Sequence, residues 1–281
     1  ISKLVADGEL ETELISVESE FSAASVVLGA AAAGSRSYTA SSSQGILLMS
    51  EVLFNIAGLR VPLVLTCANR AVSAPLSIWN DHQDSMAVRD AGWIQLYCAN
   101  NQEVVDTTIQ AYRISETTEI PVMVCMDGFI LTHTVEVIDM PSAEQVDSYL
   151  PPYRFSRVLD PAKPISVGTL VGPDHYTEVR HSHHQAVVKS IKEIVAAERD
   201  WRKISGRSTG GLLSIEGPKD AGTAILSMGS IVGTLREAMD EFPQRRKVKL
   251  INLRCFRPFP EDALRKACEG LDDLIVLERA L

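Results

Sequence analysis

The chain has 281 residues, 46% hydrophobic and 22% charged, which is the composition of an ordinary globular protein with enough apolar residues for one large or two ordinary domains. Its formal net charge of −9 at pH 7 argues against a nucleic-acid-binding protein, because no basic stripe is present to neutralise phosphates. No stretch approaches the roughly 20 uninterrupted apolar residues of a membrane-spanning helix, and the N-terminus lacks a signal-peptide pattern, so we expect no membrane contact.

The cysteine pattern favours a reduced protein of the cytoplasm. The five cysteines are an odd number scattered through apolar runs, which suggests neither a disulfide framework nor a metal site. No C-x-x-C pair occurs, so the cysteine runs that hold iron–sulfur clusters are missing. If the protein serves an electron-transfer reaction, we expect the clusters on another chain.

The first long predicted helix covers residues Ser19 to Gly34 and is rich in alanine, serine and glycine. Small side chains permit close backbone approach, so we expect this helix to be buried on most sides. Glu20 lies in its first turn, where the helix dipole and capping favour a carboxylate, and Glu18 is a neighbouring carboxylate. The spacing of Gly29 and Gly34 lacks the Lys-Ser/Thr of a phosphate-binding loop, so packing explains it better.

A polar loop is predicted next, from Tyr38 to Gly45, and a helix follows it over residues 46–57. The serine and glutamine side chains of this loop, including those of Ser43 and Gln44, and its free backbone N–H groups have two possible roles. They either cap the following helix or line a ligand pocket.

The run from Val61 to Cys67 is continuously apolar, which predicts a strand buried on both faces. Arg70 follows this strand, where a single arginine usually faces solvent or makes a structural ion pair. The next loop carries three potential metal ligands, Asp81, His82 and Asp84. They are nearly consecutive and no further ligand cluster is evident, so hydrogen bonding at an interface is the better interpretation.

The middle of the chain alternates strand, helix and strand over residues 93–98, 101–117 and 121–126. Short links between these elements predict a doubly wound parallel sheet in an α/β protein. His133 lies in the loop after the last of these strands, and a structural loop histidine is the default interpretation.

Residues 139–180 are predicted to form an extended, proline-rich linker along the domain surface. Four histidines follow near the start of a helix predicted over residues 185–204: His175, His181, His183 and His184. Zinc binding requires several of them to converge, and a solvated helix entry is the simpler interpretation.

A second, smaller α/β unit is predicted from Thr223, with helices over residues 231–241 and 261–269 between apolar strands. The predicted division is therefore a first domain over residues 1–138, the linker, and a second domain over residues 181–281. The chain begins at Ile1 and stops directly after a predicted strand, so we expect both ends to be cut from a longer polypeptide.

Three stretches closely resemble the alpha components of pyruvate:ferredoxin oxidoreductases, which are thiamine-diphosphate-dependent 2-oxoacid:ferredoxin oxidoreductases. These stretches are SSSQGILLMSEVLFNIAGLRVPLVLTCANRAVSAPLSIWNDHQDS, GWIQLYCANNQEVVDTTIQAYR and PVMVCMDGFILTHTVE. The resemblance extends over nearly the whole chain. It implies a pyrimidine-binding domain followed by a domain similar to the transketolase C-terminal domain.

The resemblance also implies the reaction and the partners. The reaction is oxidative decarboxylation of pyruvate to acetyl-CoA and carbon dioxide with ferredoxin as electron acceptor, or the reverse synthesis. Thiamine diphosphate is expected to be shared with a partner subunit, with magnesium and 4Fe-4S clusters on partner chains. The implied partners are beta, gamma and delta-type subunits, ferredoxin, coenzyme A and a 2-oxoacid.

Particular site residues follow from the same resemblance. The family's glutamate that hydrogen-bonds N1′ of the cofactor's aminopyrimidine falls in a Ser-Glu pair before an alanine-rich helix, which matches Glu20 rather than the competing Glu18. Arg70 matches the arginine that faces the substrate carboxylate. The segment Ser43, Gln44 and Gly45 is expected near the aminopyrimidine, and no metal ligand is expected on this chain.

Two alternatives stay open at this point. One is the same chemistry on another 2-oxoacid, such as 2-oxoglutarate, an aryl pyruvate or oxalate. The other is a structural or regulatory subunit that binds no ligand.

Overall fold

A computed structural model of the chain describes residues 2–9, 15–242 and 247–279. The helices are α1 (Ser2–Ala6), α2 (Glu20–Ala32), α3 (Gln44–Leu48), α4 (Ser50–Gly58), α5 (Gln83–Ala87), α6 (Asn101–Thr118), α7 (Ile130–His133), α8 (Ala143–Tyr149), α9 (Pro173–Lys189), α10 (Ile191–Ser205), α11 (Ile231–Glu241) and α12 (Glu261–Ala267). The strands are β1 (Tyr38–Ser41), β2 (Val64–Asn69), β3 (Ile94–Cys98), β4 (Val122–Asp127), β5 (Leu213–Glu216), β6 (Thr223–Ser227), β7 (Val248–Leu253), β8 (Cys255–Arg257) and β9 (Asp273–Val276).

The larger sheet has the strand order β1-β2-β4-β3-β8. Its first four strands are parallel, and β8 pairs antiparallel with β3 at the edge. Every residue of β3 is buried, and the residues of β2 and β4 are nearly all buried, because helices cover both faces. The predicted doubly wound parallel sheet is confirmed.

A second sheet contains four strands in the order β5-β7-β6-β9. Strand β6 pairs parallel with both β7 and β9, and β5 pairs antiparallel with β7. This sheet is the smaller α/β unit predicted from the sequence, with β5 as an additional strand. Because β8 belongs to the larger sheet although it follows β7 in the chain, the division at residues 138 and 181 stays a prediction.

Four helix and loop predictions are wrong in part. Residues 38–41 of the predicted loop form the edge strand β1, and the single helix predicted after it is two helices, α3 and α4, separated at Met49. The helix predicted over residues 185–204 is likewise two helices, of which α9 begins at Pro173. The predicted linker contains α8, whose capping box pairs the side chains and backbones of Ser142 and Gln145.

Helix α2 is not buried on most sides, contrary to the sequence prediction. Its buried residues are Ala24, Ala31 and Ala32, whereas Phe21 and Val26 are exposed. A helix with apolar side chains exposed beside a candidate site is typical of a surface that another chain covers.

The main hydrophobic core lies between the larger sheet and the helices that connect its strands. The indole nitrogen of buried Trp93 donates a hydrogen bond to the carbonyl of Leu53 at 2.9 Å, which fixes α4 against β3. On the other face, α10 packs on α6, and the Tyr149 hydroxyl donates to the carbonyl of Ala197 at 2.9 Å. No helix within the described ranges is both long and apolar enough to cross a membrane.

Candidate functional site

The candidate site lies at the carboxyl ends of the parallel strands. Strand β1 ends at Ser41, β2 at Asn69 and β4 at Asp127, and the register pairs Asn69 with Asp127. Binding sites of open α/β sheets lie outside these strand ends, since the loops that leave the sheet there bring polar groups together.

Glu20 is the first residue of α2, and its side chain lies against the backbone of Gly45. A Cβ atom on Gly45 would lie 2.3 Å from the Ser41 hydroxyl oxygen and 3.0 Å from Glu20 Oε1. Only a glycine permits this approach. The Glu20 residue is exposed, and its carboxylate has no hydrogen-bond or ion-pair partner among the described residues. It is therefore available to a ligand.

Glu18 differs from Glu20 in both position and partners. Its carboxylate accepts a short hydrogen bond from the Ser22 hydroxyl, and this bond holds the pKa of Glu18 below its ordinary value. Ser22 also donates its backbone N–H to the Ser19 hydroxyl at 3.4 Å. Glu18 thus belongs to the capping of α2, and the geometry favours Glu20 as the residue that faces a ligand.

The buried carboxylate of Asp84 joins the loop at Ser43 to the end of β2. Asp84 Oδ2 accepts backbone hydrogen bonds from Ser43 at 2.8 Å and Arg70 at 3.2 Å. Asp84 Oδ1 accepts from the side-chain amide of Asn69 at 2.8 Å and from the backbone of Ser85 at 2.8 Å. These bonds fix two candidate site segments relative to each other.

Ser43 occupies a backbone conformation with φ 49° and is fully buried. Its hydroxyl lies 2.6 Å from the carbonyl of Ala71 and 2.5 Å from Gln44 Oε1. Because its hydrogen bonds are internal, the Ser43 side chain shapes the loop that leads into α3, whose first two residues are Gln44 and Gly45.

Arg70 is half-buried, and its guanidinium is only partly used. The Nε atom donates to the Ser42 hydroxyl at 3.0 Å. The two terminal nitrogens have no partner among the described residues, so they present two parallel N–H donors. This arrangement is suited to a carboxylate. Arg70 contacts Ser42, and Glu20 lies against Gly45, so both side chains adjoin the same loop, residues 41–45, which we call the loop cluster.

A second buried cluster ties the larger sheet to the smaller one. His82 Nε2 lies 2.8 Å from Asp127 Oδ1, and Asp127 Oδ2 accepts from the backbone N–H of Ser230 at 2.8 Å and its hydroxyl at 2.5 Å. Gly229, with φ +80°, permits the contact, because a Cβ there would lie 2.9 Å from both Asp127 oxygens. Burial raises the pKa of Asp127, but hydrogen bonds and charge from His82 and hydrogen bonds from Ser230 outweigh it and leave the pKa below its ordinary value.

The Asp127 cluster predicts a pH-dependent contribution to stability. Because the folded-state pKa lies below the ordinary value of 3.8, the carboxylate stabilises the fold above about pH 4 and loses this effect as pH falls through the folded-state pKa. We expect Asp127→Asn to lower the free energy of unfolding at pH 7 by about 2 kcal/mol. Urea unfolding from pH 3 to pH 7 measures both effects.

The control for this prediction is Asp90→Asn, at an exposed aspartate. It should leave the stability curve within about 0.5 kcal/mol of wild type. If the free energy of unfolding of Asp127→Asn changed with pH from 3 to 7 in the same way as that of wild type, the carboxylate charge would not be what stabilises this contact.

The close approach at Gly45 gives a second stability prediction. Gly45→Ala should destabilise the chain by about 1–3 kcal/mol, because the added methyl group overlaps the Ser41 hydroxyl. Gly58→Ala is the matched control, since nothing lies within 4 Å of a Cβ at that helical glycine. Thermal unfolding of both variants measures the difference, and equal midpoints would refute the proposed packing of loop and carboxylate.

The candidate metal ligands do not converge. Asp84 is hydrogen-bonded to Asn69, and His82 is paired with Asp127. On α9, His183 is buried and the other three histidines are exposed. His133 stacks on Phe129 with ring centroids 5.0 Å apart. Within the described ranges, no group of three or more His, Cys, Asp or Glu residues could hold a metal ion.

Sequence reasoning missed the positions of Asp84 and Asp127 in these clusters. Asp84 contacts Ser43 across 41 residues and Asp127 contacts Ser230 across 103 residues. One signal was available for Asp127, because it directly follows a buried strand and precedes a glycine, as site residues of α/β sheets often do.

The fold and the polar loops at the carboxyl ends of its strands define an α/β protein of the open parallel-sheet class. The structure superposes on the 2-oxoglutarate:ferredoxin oxidoreductase from Magnetococcus marinus with a TM-score of 0.70 at 18% identity, over 98% of this chain and 51% of that chain, which shows the shared fold. Residues 1–199 match the family "Pyruvate flavodoxin/ferredoxin oxidoreductase, thiamine diP-bdg", and residues 221–281 match "Pyruvate:ferredoxin oxidoreductase core domain II". The chain belongs to the pyruvate:ferredoxin oxidoreductase family.

Two relatives of known name are similar to this chain over nearly its whole length. The pyruvate synthase subunit PorA of Methanothermobacter thermautotrophicus is 47% identical over 282 residues, which are 99% of this chain and 73% of that protein. The ketoisovalerate oxidoreductase subunit VorA of Pyrococcus horikoshii is 39% identical over 281 residues, which are 99% of this chain and 71% of that protein. Both names describe subunits of larger enzymes.

Proposed function

We propose that this chain is the alpha-type subunit of an enzyme that oxidatively decarboxylates pyruvate to acetyl-CoA and carbon dioxide with ferredoxin as electron acceptor, or runs the reverse synthesis. One observation carries the assignment of the site. The Glu20 carboxylate lies against Gly45 and the Arg70 guanidinium contacts Ser42, so both adjoin the same loop at the carboxyl ends of the sheet, and among the described residues neither the carboxylate nor the two terminal nitrogens of Arg70 have a partner. The identity to pyruvate synthase subunits supports pyruvate as the substrate.

The residues present fit the aminopyrimidine end of thiamine diphosphate. The backbone at Gly45 lies so close to Ser41 and Glu20 that a Cβ would not fit there. The Glu20 carboxylate beside it is exposed and can accept a hydrogen bond from a protonated ring nitrogen. When bound, thiamine diphosphate supplies the nucleophilic carbon and the electron sink of 2-oxoacid decarboxylation. Glu20 would hold a proton at N1′, while Gln44 and Gly45 would line the ring.

Arg70 would bind and orient the 2-oxoacid. Its terminal N–H groups suit a carboxylate, and a partly desolvated guanidinium pairs with such an anion more strongly than an exposed one does. Asp84 would act as a positioning residue, because its buried carboxylate holds the backbone N–H groups of both Ser43 and Arg70. Loss of this carboxylate would loosen both binding segments together.

The remaining parts of the enzyme would lie on partner chains. We propose beta, gamma and delta-type subunits that carry the diphosphate pocket with its magnesium and the 4Fe-4S clusters, with ferredoxin and coenzyme A as further partners. The sequence supports this division, since it contains no C-x-x-C pair. All five cysteines are free thiols, which supports a reducing compartment such as the cytoplasm.

The same chemistry on another 2-oxoacid is the second candidate. The 39% identity to a ketoisovalerate oxidoreductase subunit favours a branched 2-oxoacid as the specific rival, and 2-oxoglutarate, an aryl pyruvate and oxalate belong to the same screen. Turnover of the purified complex with each acid separates these candidates. A structural subunit without a ligand would instead give full cofactor binding and turnover after Glu20 is replaced.

Reconstitution tests the shared site. The isolated full-length subunit, mixed with thiamine diphosphate, magnesium, pyruvate, coenzyme A and ferredoxin, should give no turnover. Addition of the partner subunits should restore it. Substantial activity of the subunit alone would show that the site is not shared between chains.

A further inference from the structure

A second candidate site lies at the opposite end of the larger sheet from Glu20 and Arg70. A groove of about 740 Å³ opens between the C-terminal end of α4 and the middle of α9. It lies beside the amino end of β2, whereas the proposed catalytic site lies beyond its carboxyl end. The groove therefore shares no residue with the site described above.

Three guanidinium groups line this groove, those of Arg60, Arg157 and Arg180. Arg60 donates to the carbonyl of Thr118 at 2.7 Å, and Arg157 donates to Glu119 at 3.0 Å. These bonds hold both side chains in place, and each guanidinium keeps at least one nitrogen without a partner among the described residues. Arg180 is exposed and has no hydrogen-bond or ion-pair partner in the part of the chain that the structure describes.

The charge of the groove is positive although the whole chain is acidic. Glu178 is the only carboxylate among the described residues that line it. Arg157 is already ion-paired with Glu119 at 3.0 Å, so the guanidinium groups of Arg60 and Arg180 face one carboxylate. The chain as a whole has a formal charge of −9. The C-terminal end of α4 carries a partial negative charge, so the guanidinium groups alone supply the positive potential of the groove.

His183 is a titratable group in the wall of this groove. Its side chain is 7% exposed, and its buried Nε2 atom lies against Gly92, since a Cβ there would be 2.9 Å from it. Burial lowers its pKa, and the charges of Arg180 and Arg60 lower it further, while the Gly92 backbone raises it and His184 lowers it. The ring therefore lies in a field that an anion would neutralise.

The walls also offer apolar contact area. Phe54 is 45% exposed and Tyr176 is 58% exposed, and both line the groove. Exposed aromatic faces beside guanidinium groups are suited to a ligand with a flat ring and an anionic group. Phosphate matches several guanidinium donors better than a single carboxylate does.

From these observations we infer that the groove between α4 and α9 binds an organic phosphate of the nucleoside phosphate class, with the phosphate on Arg60 and Arg180 and the ring against Phe54 and Tyr176. This site is separate from the proposed catalytic function and would provide a place for a ligand that does not take part in the reaction.

Calorimetric titration of the assembled complex with ADP tests this inference, with pyrophosphate and adenosine as the two partial probes. We expect saturable ADP binding that Arg180→Gln weakens by about tenfold and Arg180→Glu by more, since a charge-assisted hydrogen bond is lost and then replaced by repulsion. Arg154→Gln is the matched control, because Arg154 is exposed and lines a different surface pocket. It should leave ADP affinity unchanged, and adenosine should bind more weakly than ADP.

Histidine hydrogen exchange followed by mass spectrometry locates the bound ADP. Saturation with ADP should raise the pKa of His183 and leave that of the exposed His181 unchanged. The inference would be overturned if ADP bound equally well after Arg180→Glu, or if bound ADP left the pKa of His183 unchanged. The absence of saturable ADP binding would overturn it as well. Because these readouts do not involve turnover, failure here is distinct from failure of the proposed catalytic function.

Discussion

Replacement of Glu20 by glutamine will slow exchange of the cofactor's thiazolium C2 proton by roughly 10²- to 10⁴-fold, the range that a positioned acid–base group contributes. Glutamine keeps the shape of the side chain against Gly45 but cannot stabilise a proton on the aminopyrimidine nitrogen as a carboxylate does. The assembled complex should therefore still bind thiamine diphosphate. Deuterium exchange at C2, measured by NMR after acid quench, gives the rate directly.

Glu18→Gln is the matched control for this experiment. It lies two residues away, is exposed, and serves as an acceptor for Ser22 rather than facing Gly45. Its C2 exchange rate should equal that of wild type. Normal exchange in Glu20→Gln, or slow exchange in Glu18→Gln, would transfer the assignment to another carboxylate.

Replacement of Arg70 by alanine will lower kcat/KM for the 2-oxoacid by roughly 30-fold or more. A guanidinium that pairs with a carboxylate in a partly desolvated cleft is worth on the order of 2–5 kcal/mol when truncated, because the ligand charge then has no partner. Arg70→Lys should recover only part of the loss, since an ammonium group cannot form two parallel hydrogen bonds. Steady-state kinetics over a range of pyruvate concentrations measures both variants.

The rate of C2 exchange separates substrate binding from a general collapse of the site. It should stay near the wild-type value in both Arg70 variants, because proton exchange depends on Glu20. Arg89→Ala, at an exposed arginine outside the loop cluster, should leave the pyruvate dependence unchanged. If Arg70→Ala also showed an unchanged pyruvate dependence, another residue would hold the carboxylate.

The buried strands were predictable from sequence within a few residues. Strands β2, β3 and β4 are covered on both faces, so each has a mostly apolar sequence that predicts a buried strand. Strand β1 has no such sequence, because its four residues lie at the sheet edge with alternating exposure.

The break between α9 and α10 was not predictable from sequence, because it contains no proline or glycine. The Ser190 hydroxyl donates a hydrogen bond to the Val187 carbonyl at 2.6 Å there.

The family resemblance, and not the local sequence, selected Glu20 and Arg70, and their roles stay predictions. The local sequence alone favoured helix capping for Glu20 and a solvent-facing or structurally paired arginine for Arg70. The role of Asp84 was not predictable, because its carboxylate contacts Ser43 and Arg70 from a separate loop. Likewise, nothing local to Asp127 indicates that Ser230 lies above it in the fold.

The structure of the assembled complex with thiamine diphosphate and pyruvate bound is the most direct test of the shared site. We expect the aminopyrimidine N1′ at about 3 Å from the Glu20 carboxylate, with the pyruvate carboxylate facing the terminal nitrogens of Arg70 and the diphosphate held by a partner chain. An aminopyrimidine that contacts a different carboxylate, or a diphosphate held entirely by this chain, would contradict this expectation.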